Sequence, residues 1–318
     1  MGYETKHKKR IIGVHEGIQK GALCIVVGAM HGNEPAGVRA LELVFKMLEV
    51  EPITNPNFQF RGRLVGIKGH LKAFQNEVRY IRRDLNRLWT AENIALTQSE
   101  HFDSKDEDLC ELTEIIRLVQ LEIKQYNPQH IVFLDIHTTS ADGGIFSLPS
   151  ENTNSILLAQ KLHAPVVTGL LRGLSGTSLH YFNTETLGIP TTAVCFEAGQ
   201  HNDPLSINRA IAAIINLLDA ANCVDVQDVD HQHTKILKEY SKQLPPLTSL
   251  SYCHKIHADD NFEMKGGFKN FEAIKKGDIL AKDKHGNILA TQDGYILMPL
   301  YQSKGEDGFF VVQDVEAE

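Results

Sequence analysis

The chain has 318 residues, 42% of them hydrophobic and 23% charged, the proportions of a soluble globular protein with room for one large α/β domain and a smaller module. Forty acidic groups against 32 basic ones leave a net charge of −8, which argues against a general nucleic-acid binder. No apolar run approaches the 18 or so residues of a membrane span, and Met1-Gly2-Tyr3-Glu4-Thr5-Lys6 has neither the apolar core of a secretory signal nor, because of Lys6, a myristoylation pattern.

The first element is Leu23-Cys24-Ile25-Val26-Val27-Gly28, an apolar run that predicts a buried strand. A helix with Pro in its first turn is predicted over 35–43. Between them stands His31-Gly32-Asn33-Glu34. An imidazole and a carboxylate three residues apart at a strand-to-helix turn can converge on one cation. Without thiolate, that donor pair suits Zn²⁺ in a catalytic site, where three protein ligands leave a position for water. Alone, the tetrapeptide also fits an ordinary surface turn.

A strand is predicted over 58–66. It is followed by Arg79-Tyr80-Ile81-Arg82-Arg83-Asp84-Leu85-Asn86-Arg87, four arginines in nine positions of an acidic chain. Guanidinium forks bind carboxylates bidentately, so such a cluster beside a metal would select an anionic substrate. The other reading is a salt-bridged surface, with Arg82 and Arg83 paired to Asp84 or other acids. Leu112, Ile115, Ile116, Val119 and Ile123 recur at helical spacing in 109–126, and Asn127-Pro128 stops that helix.

A second buried strand, 131–136, ends on His137-Thr138-Thr139. Helix 154–163, a short strand at 166–167 and helix 179–187, stopped by Gly188, come next. A third buried strand, 191–196, ends on Glu197-Ala198-Gly199 and leads to helix 205–221. This alternation predicts a mostly parallel sheet flanked by helices. In open α/β sheets, ligands sit beyond the carboxyl ends of the strands. Three such ends each deliver a His or Glu, which makes coincidence a poor account and predicts a metal site.

Past residue 221 the chain turns polar through 222–235, and Pro245-Pro246 marks a boundary between an α/β unit, 1–245, and a small β unit, 246–318. Turn signals at Lys276-Gly277-Asp278, Lys284-His285-Gly286-Asn287 and Asp293-Gly294 predict a small β-barrel or sandwich. Two of these turns resemble those of biotinyl and lipoyl carrier barrels, but Gly266 follows Lys265 where a modified lysine would have Met. The five cysteines are odd in number and lack C-x-x-C spacing, and Cys24 and Cys195 lie in strand runs. That pattern predicts buried thiols and a cytoplasmic location.

Taken in order, His31-x-x-Glu34, Arg79-Tyr80-x-x-x-Asp84-Leu85-Asn86-Arg87, Asp135-Ile136-His137-Thr138 and Phe196-Glu197-Ala198-Gly199 resemble the succinylglutamate desuccinylase/aspartoacylase family, which shares the zinc carboxypeptidase fold. The resemblance runs from about residue 23 to the C-terminus, where the tail looks like the family's small β-domain that narrows the active-site entrance. It implies one zinc per chain held by His31, Glu34 and His137. It implies Glu197 as general base and acid, and Arg79 as the group that polarises the scissile carbonyl. Asn86 and Arg87 match the pair that hold a substrate carboxylate, so the implied partner is a small anionic N-acyl amino acid. Asp135, two residues before His137 on one strand face, is placed to orient that histidine or to pack in the core.

Aspartoacylases carry a further arginine shortly before the strand that leads to the catalytic glutamate. Thr184-Glu185-Thr186-Leu187-Gly188-Ile189-Pro190-Thr191 has none. Arg172 could stand in, or be an exposed loop residue, and His180 and Tyr301 are further candidates for substrate contact. The departure favours N-succinylglutamate-type deacylation over N-acetylaspartate hydrolysis. A small-peptide zinc carboxypeptidase would share every motif. A non-enzymatic metal or carboxylate binder would not need Glu197. A homo-oligomer is compatible with all of these.

Overall fold

The apolar runs of the first two-thirds of the chain form the middle of one sheet. In the computed structural model the described residues are 9–99, 105–225, 232–257 and 259–315. The reading of Met1 to Lys6 and part of that of 222–235 fall outside them. In chain order the elements are β1 (Ile11–Glu16), β2 (Gln19–Gly28), α1 (Ala36–Thr54), β3 (Arg61–Lys68), α2 (Leu71–Gln75), α3 (Ala91–Thr97), α4 (Glu107–Tyr126), β4 (Ile131–Thr139), β5 (Phe146–Pro149), α5 (Thr153–Lys161) and β6 (Val166–Thr168). Then come α6 (Leu170–Gly173), α7 (Ser178–Tyr181), α8 (Thr184–Leu187), β7 (Thr191–Gln200), α9 (Leu205–Ala220) and α10 (Gln232–Ser241). The C-terminal strands are β8 (Leu247–Lys255), β9 (Glu263–Met264), β10 (Glu272–Ile274), β11 (Ile279–Asp283), β12 (Gly286–Leu289), β13 (Gly294–Leu297) and β14 (Asp307–Asp314).

The large sheet runs β1-β3-β2-β4-β7-β5-β6-β8-β14-β13-β10. Its centre, β3-β2-β4-β7, is parallel. Both faces are covered, so β4 is buried at every position. Along β4, Val132, Leu134 and Ile136 enter the core layer shared with Leu41 of α1 and Leu217 of α9. Ile131 and Phe133 enter the opposite layer with Leu112 and Ile116 of α4. The two-residue alternation therefore puts Asp135 and His137 on the α4 face. Residues Ala193 and Cys195 of β7 lie in the same layer, which puts Glu197 there too.

Helix α4 follows its local signals. Asp106 caps it by accepting from the Leu109 amide at 3.0 Å, Glu107 and Asp108 occupy its first turn, and Asn127 ends it in a left-handed conformation. Two expectations need correction. The helix read over 179–187 is two short ones, because the Asn183 side chain accepts from the Thr186 amide at 2.8 Å and so starts a new helix instead of sitting inside one. The second and third buried strands also run further than read, to Thr139 and Gln200. His137 and Glu197 thus lie within their strands and pair directly across them.

The C-terminal strands take a sandwich form. A separate antiparallel sheet, β12-β11-β9, shares a small core with strands of the large sheet through Met264, Leu280, Ile296 and Phe309. The large sheet reaches this region because β8 pairs in parallel with β6. Among the described residues no helix is long and apolar enough to cross a membrane.

Candidate functional site

The turn after β2 is held in place by two close backbone approaches. At the end of β2, a Cβ on Gly28 would lie 2.5 Å from the Val38 amide nitrogen, so only glycine lets α1 pack there. A Cβ on Gly32 would lie 2.1 Å from the Ala73 carbonyl carbon, and the Gly32 amide donates to the Arg79 carbonyl at 3.1 Å. The His31-to-Glu34 turn is therefore clamped between α2 and the arginine segment.

From that turn His31 and Glu34 face His137 on β4. His31 Nδ1 lies 2.9 Å from Glu34 Oε1, and His137 Nδ1 lies 3.0 Å from Glu34 Oε2. The Thr138 amide also donates to Glu34 Oε2 at 3.0 Å. One potential ligand atom from each of His31, Glu34 and His137 lies within 4.8 Å of the others, and all three residues are buried. The far nitrogen of each imidazole faces a carboxylate: His31 Nε2 is 3.0 Å from Asp84 Oδ1, and His137 Nε2 is 3.2 Å from Asp135 Oδ2. Histidines that ligate metals are commonly backed by such partners, which set the tautomer and aim the ring. The donor set, its convergence and these backing acids fit one metal ion.

Charge is arranged around this centre in a consistent way. Burial alone would raise the Glu34 carboxyl, but His31 and His137 hold it well below the usual range. Asp84 is likewise kept low against its burial by His31 and Arg79. Glu197, one strand over from His137, goes the other way: burial, reinforced by Glu34 and opposed by His137, pushes it up to about 8. Its Oε2 is buried without a hydrogen-bond partner among the described residues. A buried carboxyl with a free oxygen, directly across from one of the clustered histidines, is placed to hold and move a proton.

Arg79 donates through Nε and Nη2 to Asp84 Oδ2 at 3.0 and 2.9 Å, which leaves Nη1 3.6 Å from Glu34 Oε1. Asn86 and Arg87 line the same cleft as His31, His137 and Glu197. The Asn86 Oδ1 accepts from the Ser178 amide at 2.9 Å, while Arg87 Nη2 donates to Asp307 Oδ2 at 2.5 Å. The seven residues to which the resemblance gives metal, catalytic or carboxylate-binding roles thus meet at one cleft, though Arg87 is already paired.

The rest of the arginine segment follows the salt-bridged reading at Arg83 but not at Asp84. Asp84 is buried and serves His31 and Arg79, not Arg82 or Arg83. Arg83 pairs with Asp106 on the outside, and the Arg82 amide donates to Asp108 at 3.1 Å. Three residues were missed as parts of the site. Asp84 could have been suspected from its place in the motif. Ser178, whose hydroxyl donates to Asp135 Oδ2 at 2.5 Å, and Asp307 carry no local signal. Arg172 faces outward to Glu151 at 2.9 Å, and His180 lines a separate cavity beside it. Tyr301 donates to the Lys265 carbonyl at 2.8 Å, away from the cleft.

The catalytic-domain pattern described as succinylglutamate desuccinylase/aspartoacylase matches residues 20–221. A probable aspartoacylase from Nostoc sp. is 32% identical over 297 residues, covering 87% of this chain and 89% of that protein. Among solved structures, a succinylglutamate desuccinylase/aspartoacylase from Rhodobacter sphaeroides aligns with a TM-score of 0.63 at 15% identity, over 95% of this chain and 88% of that one. The product-bound ectoine utilization protein EutE (DoeB) from Ruegeria pomeroyi aligns with a TM-score of 0.62 at 18% identity, over 94% and 87% of the two chains. At these identities the two structures speak for the fold.

Proposed function

The chain belongs to the succinylglutamate desuccinylase/aspartoacylase family of hydrolases, and on that premise we propose that it is a zinc-dependent amidohydrolase that removes the acyl group from an N-acyl amino acid. The observation that carries this reading is the register of β4 and β7, which sets Glu197 directly across from His137 at the edge of a His-Glu-His cluster. His31, Glu34 and His137 would hold the zinc. When bound, zinc lowers the pKa of a coordinated water to about 7 and polarises a carbonyl.

The protein's own groups supply the rest. Glu197 Oε2 takes a proton from the attacking water and delivers it to the departing amine nitrogen, as the C–N bond breaks to leave a carboxylic acid and a free amino acid. Arg79 Nη1, the arm of that guanidinium not bound to Asp84, donates to the carbonyl oxygen as negative charge develops on it. Asn86 Nδ2 and Arg87 Nε grip the α-carboxylate. Arg87 Nε is buried with no hydrogen-bond partner among the described residues, so a ligand oxygen there would satisfy it. Residues 1–245 form the catalytic unit in this reading and 246–318 narrow its entrance, in keeping with the presence of Met298, Leu300 and Asp307 on the cleft wall.

The test is metal analysis combined with a hydrolysis screen of N-acetyl and N-succinyl amino acids, before and after chelation. About one zinc per chain is expected, with hydrolysis lost on chelation and restored by zinc. A zinc-loaded protein that hydrolyses none of these amides would overturn the assignment.

A further inference from the structure

We propose that the amino acid released by this enzyme carries an apolar side chain, held against a wall of leucines beside Asn86 and Arg87. The inference rests on the deacylase reading above and narrows its substrate class, in place of the glutamate that N-succinylglutamate-type deacylation would release. Leu170, Leu171, Leu174 and Leu179 line the cleft, together with Leu148 of β5 and Phe310 of β14. Four of these six come from the segment of α6 and α7, which is packed tightly on the carboxylate-binding pair. The Trp89 amide donates to the Gly176 carbonyl at 3.0 Å, and the Ser178 amide donates to Asn86 Oδ1 at 2.9 Å. A Cβ on Gly176 would lie 2.3 Å from the Arg87 carbonyl oxygen. A substrate anchored by its α-carboxylate at Asn86 and Arg87 therefore turns its α-substituent toward these leucines.

The charges near that wall leave no place for a second carboxylate. Among the described residues lining the cleft, Arg79 and Arg87 are the only arginines or lysines. Arg79 is matched by Asp84 and Glu34. Arg87 is matched by Asp307, which also holds Lys255, and Glu306 lies 3.9 Å from Arg87 Nε. An acidic side chain would share an apolar-walled cleft with Glu306 and Asp307, with its desolvation uncompensated. Arg172, the residue that could have supplied a further cation, has a side chain 74% exposed and paired with Glu151. Leu171 and Leu179 line both the cleft and the cavity in which Arg172 lies, and so stand between Arg172 and the substrate.

The experiment keeps the acyl group constant and varies the side chain. On zinc-loaded protein, kcat/KM for N-acetyl-L-leucine and N-acetyl-L-phenylalanine should exceed that for N-acetyl-L-aspartate and N-acetyl-L-glutamate by about tenfold or more, the usual yield of a fitted apolar pocket. Leu174→Arg, a half-buried position on the wall, should move the leucine-to-aspartate ratio toward aspartate by about tenfold. A second readout needs no turnover: free L-leucine should raise the melting temperature of the wild-type zinc protein more than L-aspartate at equal concentration. Equal or greater turnover of the acidic substrates, or equal stabilisation by aspartate, would overturn the inference. If no N-acyl amino acid is hydrolysed, the deacylase reading falls instead, and the melting comparison still decides whether the wall takes an apolar amino acid.

Discussion

The floor of the cleft and its rim are built on different principles. On the floor, His137 and Glu197 project from adjacent central strands in direct register, and His31 and Glu34 come from a turn held by backbone contacts that leave no room for a Cβ. The rim is assembled from connections: the segment holding Asn86 and Arg87, the leucines of α6 and α7, and Asp307 at the start of β14, which meets Arg87 across 220 positions of sequence. In the proposed reading, the reactive groups thus sit on central strands or on a turn clamped beside them, and the groups that select the substrate sit where substitution disturbs the sheet least. The difference predicts that floor variants abolish chemistry for every substrate, whereas rim variants change which substrate is preferred.

The largest effect should come from removing the floor's metal ligands. In the His31→Ala, His137→Ala double variant, metal analysis should find zinc reduced to background and hydrolysis of all substrates lost. Full zinc occupancy in that protein would place the metal elsewhere and break the contrast at its root. Next is Glu197→Gln, which should keep zinc and fold but lower kcat by about 10² to 10⁴, the usual contribution of positioned proton transfer, and by a similar factor for every substrate. Wild-type turnover in this variant would assign the base to another group.

Glu197 also gives the floor a pH signature in the metal-free protein. Its folded pKa is raised from an ordinary 4.5 to about 8. A carboxyl raised in this way stabilises the fold fully below its unfolded pKa, and that contribution is lost as pH rises through the folded value. After chelation, the wild type should therefore lose stability relative to Glu197→Gln between about pH 5 and pH 8. Denaturant unfolding of the two proteins across that range checks it, and parallel curves would mean that Glu197 ionises at its ordinary pH.

The same contrast explains what could be read without a structure. Strands β2, β4 and β7 are buried on both faces, so each reads as an unbroken apolar run, and the residues that end those runs are the floor. Strand β1 was missed because it is an edge strand, half-exposed along most of its length, and β5 because four residues carry too little pattern. For Asp84 the sequence leaves a surface pairing with Arg82 or Arg83 open, because its neighbours are arginines. Only the folded chain shows it buried between His31 and Arg79. The leucine wall and Asp307 depend on contacts between distant segments, and no local spacing encodes which leucine of a loop faces a cleft. Sequence periodicity reports the face an element buries, and the rim is made mostly of loops, four-residue helices and a strand end, too short to show a period.

The smaller predictions lie on the arginine segment itself. Arg87→Lys should lower kcat/KM for N-acyl amino acids by about tenfold or more, because an ammonium cannot reproduce a fork that reaches Asp307 with one arm and leaves Nε for the substrate. The corresponding amides, which lack the α-carboxylate, should lose much less. Arg83→Lys should change neither by more than about twofold, since Arg83 pairs with Asp106 at a solvent-exposed site where ion pairs contribute little. Both substitutions keep the charge, so they separate geometry from the general field. If the two variants suffer alike, the segment acts through its net charge and the rim has no specific carboxylate site. If Arg87→Lys costs as much with amides as with acids, then Arg87 supports the fold through Asp307 and contributes nothing to recognition. A loss confined to Arg87 and to acids is the outcome that a rim built around one α-carboxylate requires.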